Sequence, residues 1–288
     1  MMEQNELIEK FSDNTITDDE KEELIEKSIE LGYLDVLKTV LPNCPSFDTY
    51  NIPILASTEG HLHILKWCKE NNFEFSIYCT NNASKNGHLD CLKFLIENRC
   101  DKSILNMFSN VCENGHLHCL TYLVEFGFKP TAAASNSAAE NGHLECLTYL
   151  ESKGVEISYQ AALYAAENGH LECLKFIIES VYEWLEDETI QQYINATMNP
   201  VLIEDENGNQ IEDQIDEELM NARFECFKYC FSQYSDKSTF LKDIFIIEEF
   251  VDRIDMNDEV WKPLLNSCLN FYNITTKLEN KIRNSLIN

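Results

Sequence analysis

One phrase recurs along this chain, and its spacing limits the available folds more than any other feature. Ala138 to Leu150 reads Ala-Ala-Glu-Asn-Gly-His-Leu-Glu-Cys-Leu-Thr-Tyr-Leu, and Ala165 to Ile177 reads Ala-Ala-Glu-Asn-Gly-His-Leu-Glu-Cys-Leu-Lys-Phe-Ile. Weaker copies start at Ala56, Ala83 and Val111. The glycines inside the phrase are Gly60, Gly87, Gly115, Gly142 and Gly169, separated by 27, 28, 27 and 27 residues. A fainter copy around Gly32 lies 28 residues before the first. A fixed period in this range marks a solenoid, in which one supersecondary unit stacks on copies of itself.

Each unit divides into helix, turn and helix. In the fourth clear copy, Pro130-Thr131 opens a first helix that runs to about Glu140, with Thr131 as N-cap. Asn141-Gly142 makes the turn, because glycine adopts positive φ without penalty. His143 to Lys153 forms the second helix, and Gly154 takes its C′ position. Ser76, Ser103 and Ser158 stand where other first helices begin. Leu144, Leu147 and Leu150 line one stripe of the second helix, with Cys146 and Tyr149 beside it. One helix pair cannot bury so wide a face, so the neighbouring units must cover it. The Ala-Ala pairs in the first helices are small enough to let neighbours approach closely.

Outside the array the signals thin. Residues 1–20 are polar and acidic, with Ser12, Asp13, Thr17 and Asp18 as possible caps. Asp19 to Leu31 and Leu34 to Leu41 read as two helices separated by Gly32 and stopped by Pro42 and Pro45. After Ile177 the second helix is expected to continue through Val181, Tyr182, Trp184 and Leu185. Gln191 to Met198 is a further helical candidate. Asn207-Gly208, between short apolar runs, is a hairpin signal, while the surrounding acids argue equally for a solvated loop. Leu219 to Tyr234 holds Arg223-Phe224-Glu225-Cys226-Phe227-Lys228-Tyr229, a decayed copy of the phrase without its Gly-His turn. Thr239 to Ile254, Val260 to Tyr272 and Thr275 to Ile287 are expected to be cap helices. The resulting division is 1–45 as N-terminal cap and degenerate first repeat, and 46–181 as five repeats. Residues 182–220 form an acidic insert, and 221–288 a degenerate repeat with a helical cap.

The formal charge is −28 and unevenly spread. Residues 1–30 carry 11 acids against 3 bases, and residues 179–220 carry 13 acids and no base. Such a field repels phosphate backbones and anionic bilayers, so nucleic acid and membrane are unexpected ligands. The N-terminus lacks the basic flank and apolar segment of a secretory signal, and no apolar run approaches a bilayer span. The twelve cysteines fall mostly at buried repeat positions and read as reduced thiols of a cytoplasmic, monomeric protein.

The phrase Ala-Ala-x-Asn-Gly-His-Leu-Glu-x-Leu-x-Tyr-Leu resembles the helical core of the ankyrin repeat, clearly over 56–180 and faintly over 20–55. The resemblance implies an all-α helix-turn-helix solenoid with reduced or absent β-hairpins. These units run 27 or 28 residues where the ankyrin repeat runs 33. The missing residues are those of the Thr-Pro-Leu-His start and the hairpin finger. The array is thus similar to short ankyrin-like repeats of protist and giant-virus proteins.

The recurring His-x-x-Cys pairs are His88/Cys91, His116/Cys119, His143/Cys146 and His170/Cys173. Zinc accepts both ligand types, but a structural site needs four converging donors. In the ankyrin-like turn the ring is instead expected to pack and hydrogen-bond locally, and the cysteine takes a core position that is Ile64 in the first copy. No metal or cofactor is expected. The nine glycines are all used at turns and helix ends, leaving none for a phosphate loop or nucleophile elbow. The chain is therefore read as non-enzymatic. Trp67, Phe94, Tyr122, Tyr149 and Phe176 form an aromatic column expected to pack in the core.

Variable positions on a constant framework are the candidates for binding. Five residues before each turn glycine stand Leu55, Asn82, Asn110, Ser137 and Tyr164, and two before stand Thr58, Lys85, Glu113, Glu140 and Glu167. Among them Asn82, Lys85, Asn110, Glu113, Ser137, Glu140, Tyr164 and Glu167 are the expected partner contacts on a concave surface. The expected function is a scaffold or adaptor that holds another protein, one with a basic surface. The alternatives are a metal protein built on the His-x-x-Cys pairs, a ubiquitin-ligase or host-directed adaptor, and docking through the acidic 179–220 segment.

Overall fold

A computed structural model of the chain describes residues 4–12, 16–98, 104–181, 192–193, 196–197, 203–204, 210–211 and 217–233. The helices are α1 (Gln4–Phe11), α2 (Asp18–Glu30), α3 (Leu34–Val40), α4 (Asn51–Thr58), α5 (Leu62–Glu70), α6 (Ile77–Lys85) and α7 (Leu89–Glu97). They continue with α8 (Ile104–Glu113), α9 (Leu117–Glu125), α10 (Ala132–Glu140), α11 (Leu144–Ser152), α12 (Tyr159–Glu167), α13 (Leu171–Phe176) and α14 (Glu217–Gln233). Contacts divide the chain into two compact units, residues 1–138 with 145–156, and residues 139–144 with 157–288.

In the first unit the first helices α2, α4, α6 and α8 pack in sequence order, and the second helices α5, α7 and α9 do the same. Each first helix also packs on its own second helix. That is the nearest-neighbour arrangement of a helical repeat array. Ile64, Leu65, Cys68, Leu92, Leu95, Leu120 and Leu123 fill its interior, fully shielded from solvent. The N-terminus is more ordered than its composition suggests. Helix α1 was not expected, yet Leu7 buries its whole side chain, and α1 packs on α2 and α3. Thr17 starts α2 with a capping box: Oγ1 accepts from the Glu20 amide at 3.2 Å, and the Glu20 carboxylate accepts from the Thr17 amide at 2.7 Å. Ser76 and Ser158 occupy extended N-cap positions as expected but make no capping bond. Ser103 lies outside the described residues.

In the second unit α12 packs on α13, and both pack on α14. Ala161, Ala162, Ala165 and Ala166 are fully buried, which is the close approach that small side chains permit. Helix α13 does not continue regularly. It passes into a π turn at Ile177–Val181, where earlier repeats have a closing residue of positive φ. On either side of the Asn-Gly stretch, Ile203 pairs with Ile211 and Glu204 with Gln210, antiparallel, while Asn207-Gly208 itself lies outside the described residues. Gln192, Tyr193, Ala196 and Thr197 are helical, within the segment expected to be a helix. Tyr182, Trp184 and Leu185 lie outside the described residues, as do the helices expected at 239–254, 260–272 and 275–287.

Candidate functional site

The Gly-His step is where sequence, turn geometry and stacking meet. Gly60 has φ +78°, and its first helix closes as a Schellman turn, with the His61 amide donating to the Ala56 carbonyl at 2.8 Å. His61 then sits at φ −85°, ψ 75°, the centre of an inverse γ-turn, and the Leu62 amide donates to the Gly60 carbonyl at 3.0 Å. The same bonds recur at Gly87-His88, Gly115-His116 and Gly169-His170. One glycine and one following residue thus reverse the chain with the backbone groups paired. The residue before the glycine helps: Asn86, Asn114 and Asn168 each donate Nδ2 to the carbonyl four residues back, at 2.9 to 3.0 Å.

The sequence predicts that the ring bonds locally; the structure corrects this, since Nε2 bonds a carbonyl about 30 residues back. The ring reaches back one repeat. His61 Nε2 donates to the Glu30 carbonyl at 2.8 Å, His88 Nε2 to the Thr58 carbonyl at 2.9 Å, and His116 Nε2 to the Lys85 carbonyl at 2.9 Å. In the second unit His170 hydrogen-bonds the Glu140 backbone. A carbonyl can only accept, so Nε2 carries the hydrogen. Each ring also lies on the turn glycine of the preceding repeat. A Cβ on Gly60 would stand 2.6 Å from His88 Nδ1, one on Gly87 2.6 Å from His116 Nδ1, and one on Gly142 2.6 Å from His170 Nδ1. Glycine is therefore needed twice, for its backbone conformation and as the platform for the next ring. Two repeats add a second bracket that sequence reading passed over: His63 Nε2 donates to the Gly32 carbonyl at 2.8 Å, and His118 Nε2 to the Gly87 carbonyl at 2.9 Å.

The cysteines of the His-x-x-Cys pairs point into the stack. Cys91, Cys119, Cys146 and Cys173 are at most 1% exposed. Burial pushes the Cys91 thiol up to about 11, and the Cys68 and Cys119 thiols up to about 12. Cys112 and Cys146 hydrogen-bond each other, which holds the Cys112 thiol protonated. Among the described residues no three His, Cys, Asp or Glu side chains converge as a metal site. The aromatic column is less deeply placed than expected. Trp67, Phe94, Tyr122, Tyr149 and Phe176 are half-buried. The first three rest on linker rings, Trp67 on Phe73 at 5.2 Å, Phe94 on Phe75 at 6.4 Å and Tyr122 on Phe126 at 5.6 Å. Between the linkers at 127–131 and 153–156 an open cleft of about 600 Å³ remains, with Gly127 and Gly154 in its lining.

The variable positions behave differently from one another. Lys85, Glu113 and Glu140 are exposed. Asn82, Asn110, Ser137, Tyr164 and Glu167 are half-buried. Asn82 Nδ2 donates to Thr58 Oγ1 of the preceding repeat at 2.8 Å, and Asn110 Nδ2 to the Asn81 carbonyl at 3.3 Å. The Tyr164 hydroxyl accepts from Gln160 Nε2 at 3.1 Å. Two positions read only as contacts for a partner thus also tie one repeat to the next.

Helix pairs closed by Gly-His turns and joined ring-on-glycine define a helical repeat protein. Residues 80–161 match the family model for ankyrin repeats, in three copies, and these residues are ankyrin repeats. Among solved structures the chain is similar to the human ASB11 ankyrin repeat domain, at 18% identity and a TM-score of 0.41, over 60% of this chain and 96% of that one. No curated protein matches the chain. Ankyrin repeats are in general modules of protein–protein interaction. Among the described residues no helix is long and apolar enough to cross a membrane.

Proposed function

We propose that the chain is a non-enzymatic, cytoplasmic scaffold or adaptor, monomeric by itself, that holds another protein on the outward strip of its first helices. The observation that carries this reading is a division of labour. The Gly-His turns, the buried cysteines and the alanine pairs serve the framework, while Lys85, Glu113 and Glu140 project into solvent at positions whose chemistry changes from repeat to repeat. Such a surface binds through shape and a few anchor side chains, without covalent chemistry. The formal charge of −28 favours a partner with a basic face and an association rate that falls as salt rises.

The test is retention of protein partners on the immobilised full chain at low and at physiological salt, compared with a Glu113→Lys/Glu140→Lys variant. Retention that falls with salt and falls further in the variant is expected. No partner retained at either salt would overturn the scaffold reading, and retention indifferent to salt and to both substitutions would overturn its electrostatic part.

A further inference from the structure

We propose that the strip over α4, α6 and α8 recognises arginine side chains in an extended segment of the partner, which rests on the scaffold reading above and narrows it. The argument starts from amide orientation. Thr58 Oγ1 gives its single hydrogen to the Ile54 carbonyl at 3.0 Å, so toward Asn82 it can only accept. Asn82 must therefore present Nδ2 to Thr58, at 2.8 Å, which turns its Oδ1 away from that contact. Asn110 faces the Asn81 carbonyl, another pure acceptor, and is fixed in the same sense at 3.3 Å. Neither orientation is arbitrary, because the reverse would set oxygen against oxygen in both places. The exposed carboxylates of Glu59 and Glu113 add charge at the turn end. The strip is therefore rich in acceptors, and a donor-rich group complements it.

The second observation selects guanidinium over ammonium. Tyr78 stands four residues before Asn82 on α6 and so shares its face, with 56% of its surface exposed. Tyr50, at the start of α4, is 42% exposed. An arginine stacks its plane on a tyrosine ring and still directs several N–H groups at nearby oxygens, whereas an ammonium is a compact point charge. Tyr78 with Asn82 offers that combination within one helix, and Asn110 offers the next acceptor one repeat along. Lys85, exposed on the same strip, is the opposing charge.

The probe is a fluorescein-labelled nonapeptide, three copies of Arg-Gly-Ser, titrated by anisotropy against the full chain at about 25 mM salt, where surface charge is weakly screened. Tyr78→Ala, Asn82→Ala and Asn110→Ala are compared with the wild type. Each substitution is expected to weaken binding about tenfold, and a Lys-Gly-Ser peptide is expected to bind several-fold less tightly than its arginine counterpart. Because Asn82 and Asn110 also tie repeats together, thermal unfolding of each variant is measured alongside. Tyr78→Ala removes no framework bond and reads binding alone. Equal affinity for wild type and Tyr78→Ala, equal affinity for the two peptides, or no binding of the arginine peptide would each overturn the assignment. If partners are still retained on the wild-type chain in that event, the scaffold reading stands and only the arginine specificity falls. If nothing is retained although the peptide binds as expected, the reverse holds.

Discussion

Two joints within the second unit differ in how a helix rests on the turn before it. At the first, the His170 ring lies on Gly142 and hydrogen-bonds the Glu140 backbone. At the second, Gly169 is covered by Ala222, whose Cβ would lie 2.6 Å from a Cβ placed on the glycine. Arg223 stands where a histidine would begin the second helix, and Ala222 stands where the glycine would break the first. With no residue there suited to positive φ, α14 runs unbroken through 17 residues. Its inner face still packs: Cys226, Phe227 and Cys230 are at most 2% exposed. Tyr229 donates to Glu179 at 2.9 Å, and burial raises its hydroxyl well above the usual range. Apolar stacking thus survives the loss of the turn, whereas the ring-on-glycine contact is replaced by Ala222 on Gly169. Period and core are separable properties of such an array, and the glycine-histidine contact is what links them.

The strongest way to break that link is to add one methyl group. Gly87→Ala places a Cβ 2.6 Å from the His116 ring on a backbone at φ +72°, and about 3 kcal/mol of destabilisation is expected from strain and overlap together. Gly154→Ala is the control, at φ +74° but with nothing within 4 Å of the new atom, and about 1 kcal/mol is expected from backbone strain alone. Denaturant midpoints at constant m-value would give both. Equal losses would show that the ring-on-glycine contact contributes nothing beyond conformation.

Next comes the small-residue face. Ala139 is fully buried, and Ala139→Phe is expected to overpack at about 1–3 kcal/mol, read as a lowered melting temperature. An unchanged melting temperature would count against close stacking there. Removing the ring itself, His116→Ala, leaves the Lys85 carbonyl without its 2.9 Å donor and should cost about 1–1.5 kcal/mol. The sharper measurement is the double variant. With the ring gone the Gly87→Ala methyl no longer overlaps it, so the two losses should sum to more than the double loses. Strict additivity would mean that the glycine and the histidine act independently.

Most of this framework was legible beforehand, for a physical reason. A repeated unit repeats its errors as well as its signals, so helix ends set by Gly142, Gly154 and Pro130 in one copy also place those of the others. The reach of the histidines was not legible. Every copy contains both a ring and a carbonyl to receive it, and only the stacking offset shows that the acceptor belongs to the preceding copy. The same offset hid the double role of Asn82 and Asn110, whose framework partners are Thr58 and Asn81. Helix α1 escaped because Leu7, its one buried side chain among the described residues, makes no periodic pattern. The aromatic column was placed too deep, since residues such as Trp67 share the second-helix stripe but lie at its margin against linker rings. The pairing of Ile203 with Ile211 agrees with the hairpin signal, although the acids around it gave the opposite signal equal weight.

The smallest effect tests the joint at His170 by acidity. Burial is the main cause that holds the His170 imidazole below its usual 6.5, opposed by its bond to the Glu140 backbone and assisted by the nearby His143. The fold therefore favours the neutral ring. Unfolded chains take up the proton first as pH falls through about 6.5, so this histidine's contribution is fully present above that value and shrinks below it, levelling off beneath the folded pKa. Unfolding free energy measured from pH 7.5 down to 5.5 should decline, and His170→Asn should flatten that part of the decline while leaving the carboxylate-driven loss at lower pH in place. The decayed joint at Gly169 carries no imidazole, so Ala222→Ser there should leave the slope between pH 7.5 and 5.5 as it is. A slope unaltered by His170→Asn would mean that the ring on Gly142 is not the titrating element, and that the polar half of the joint matters less than its packing.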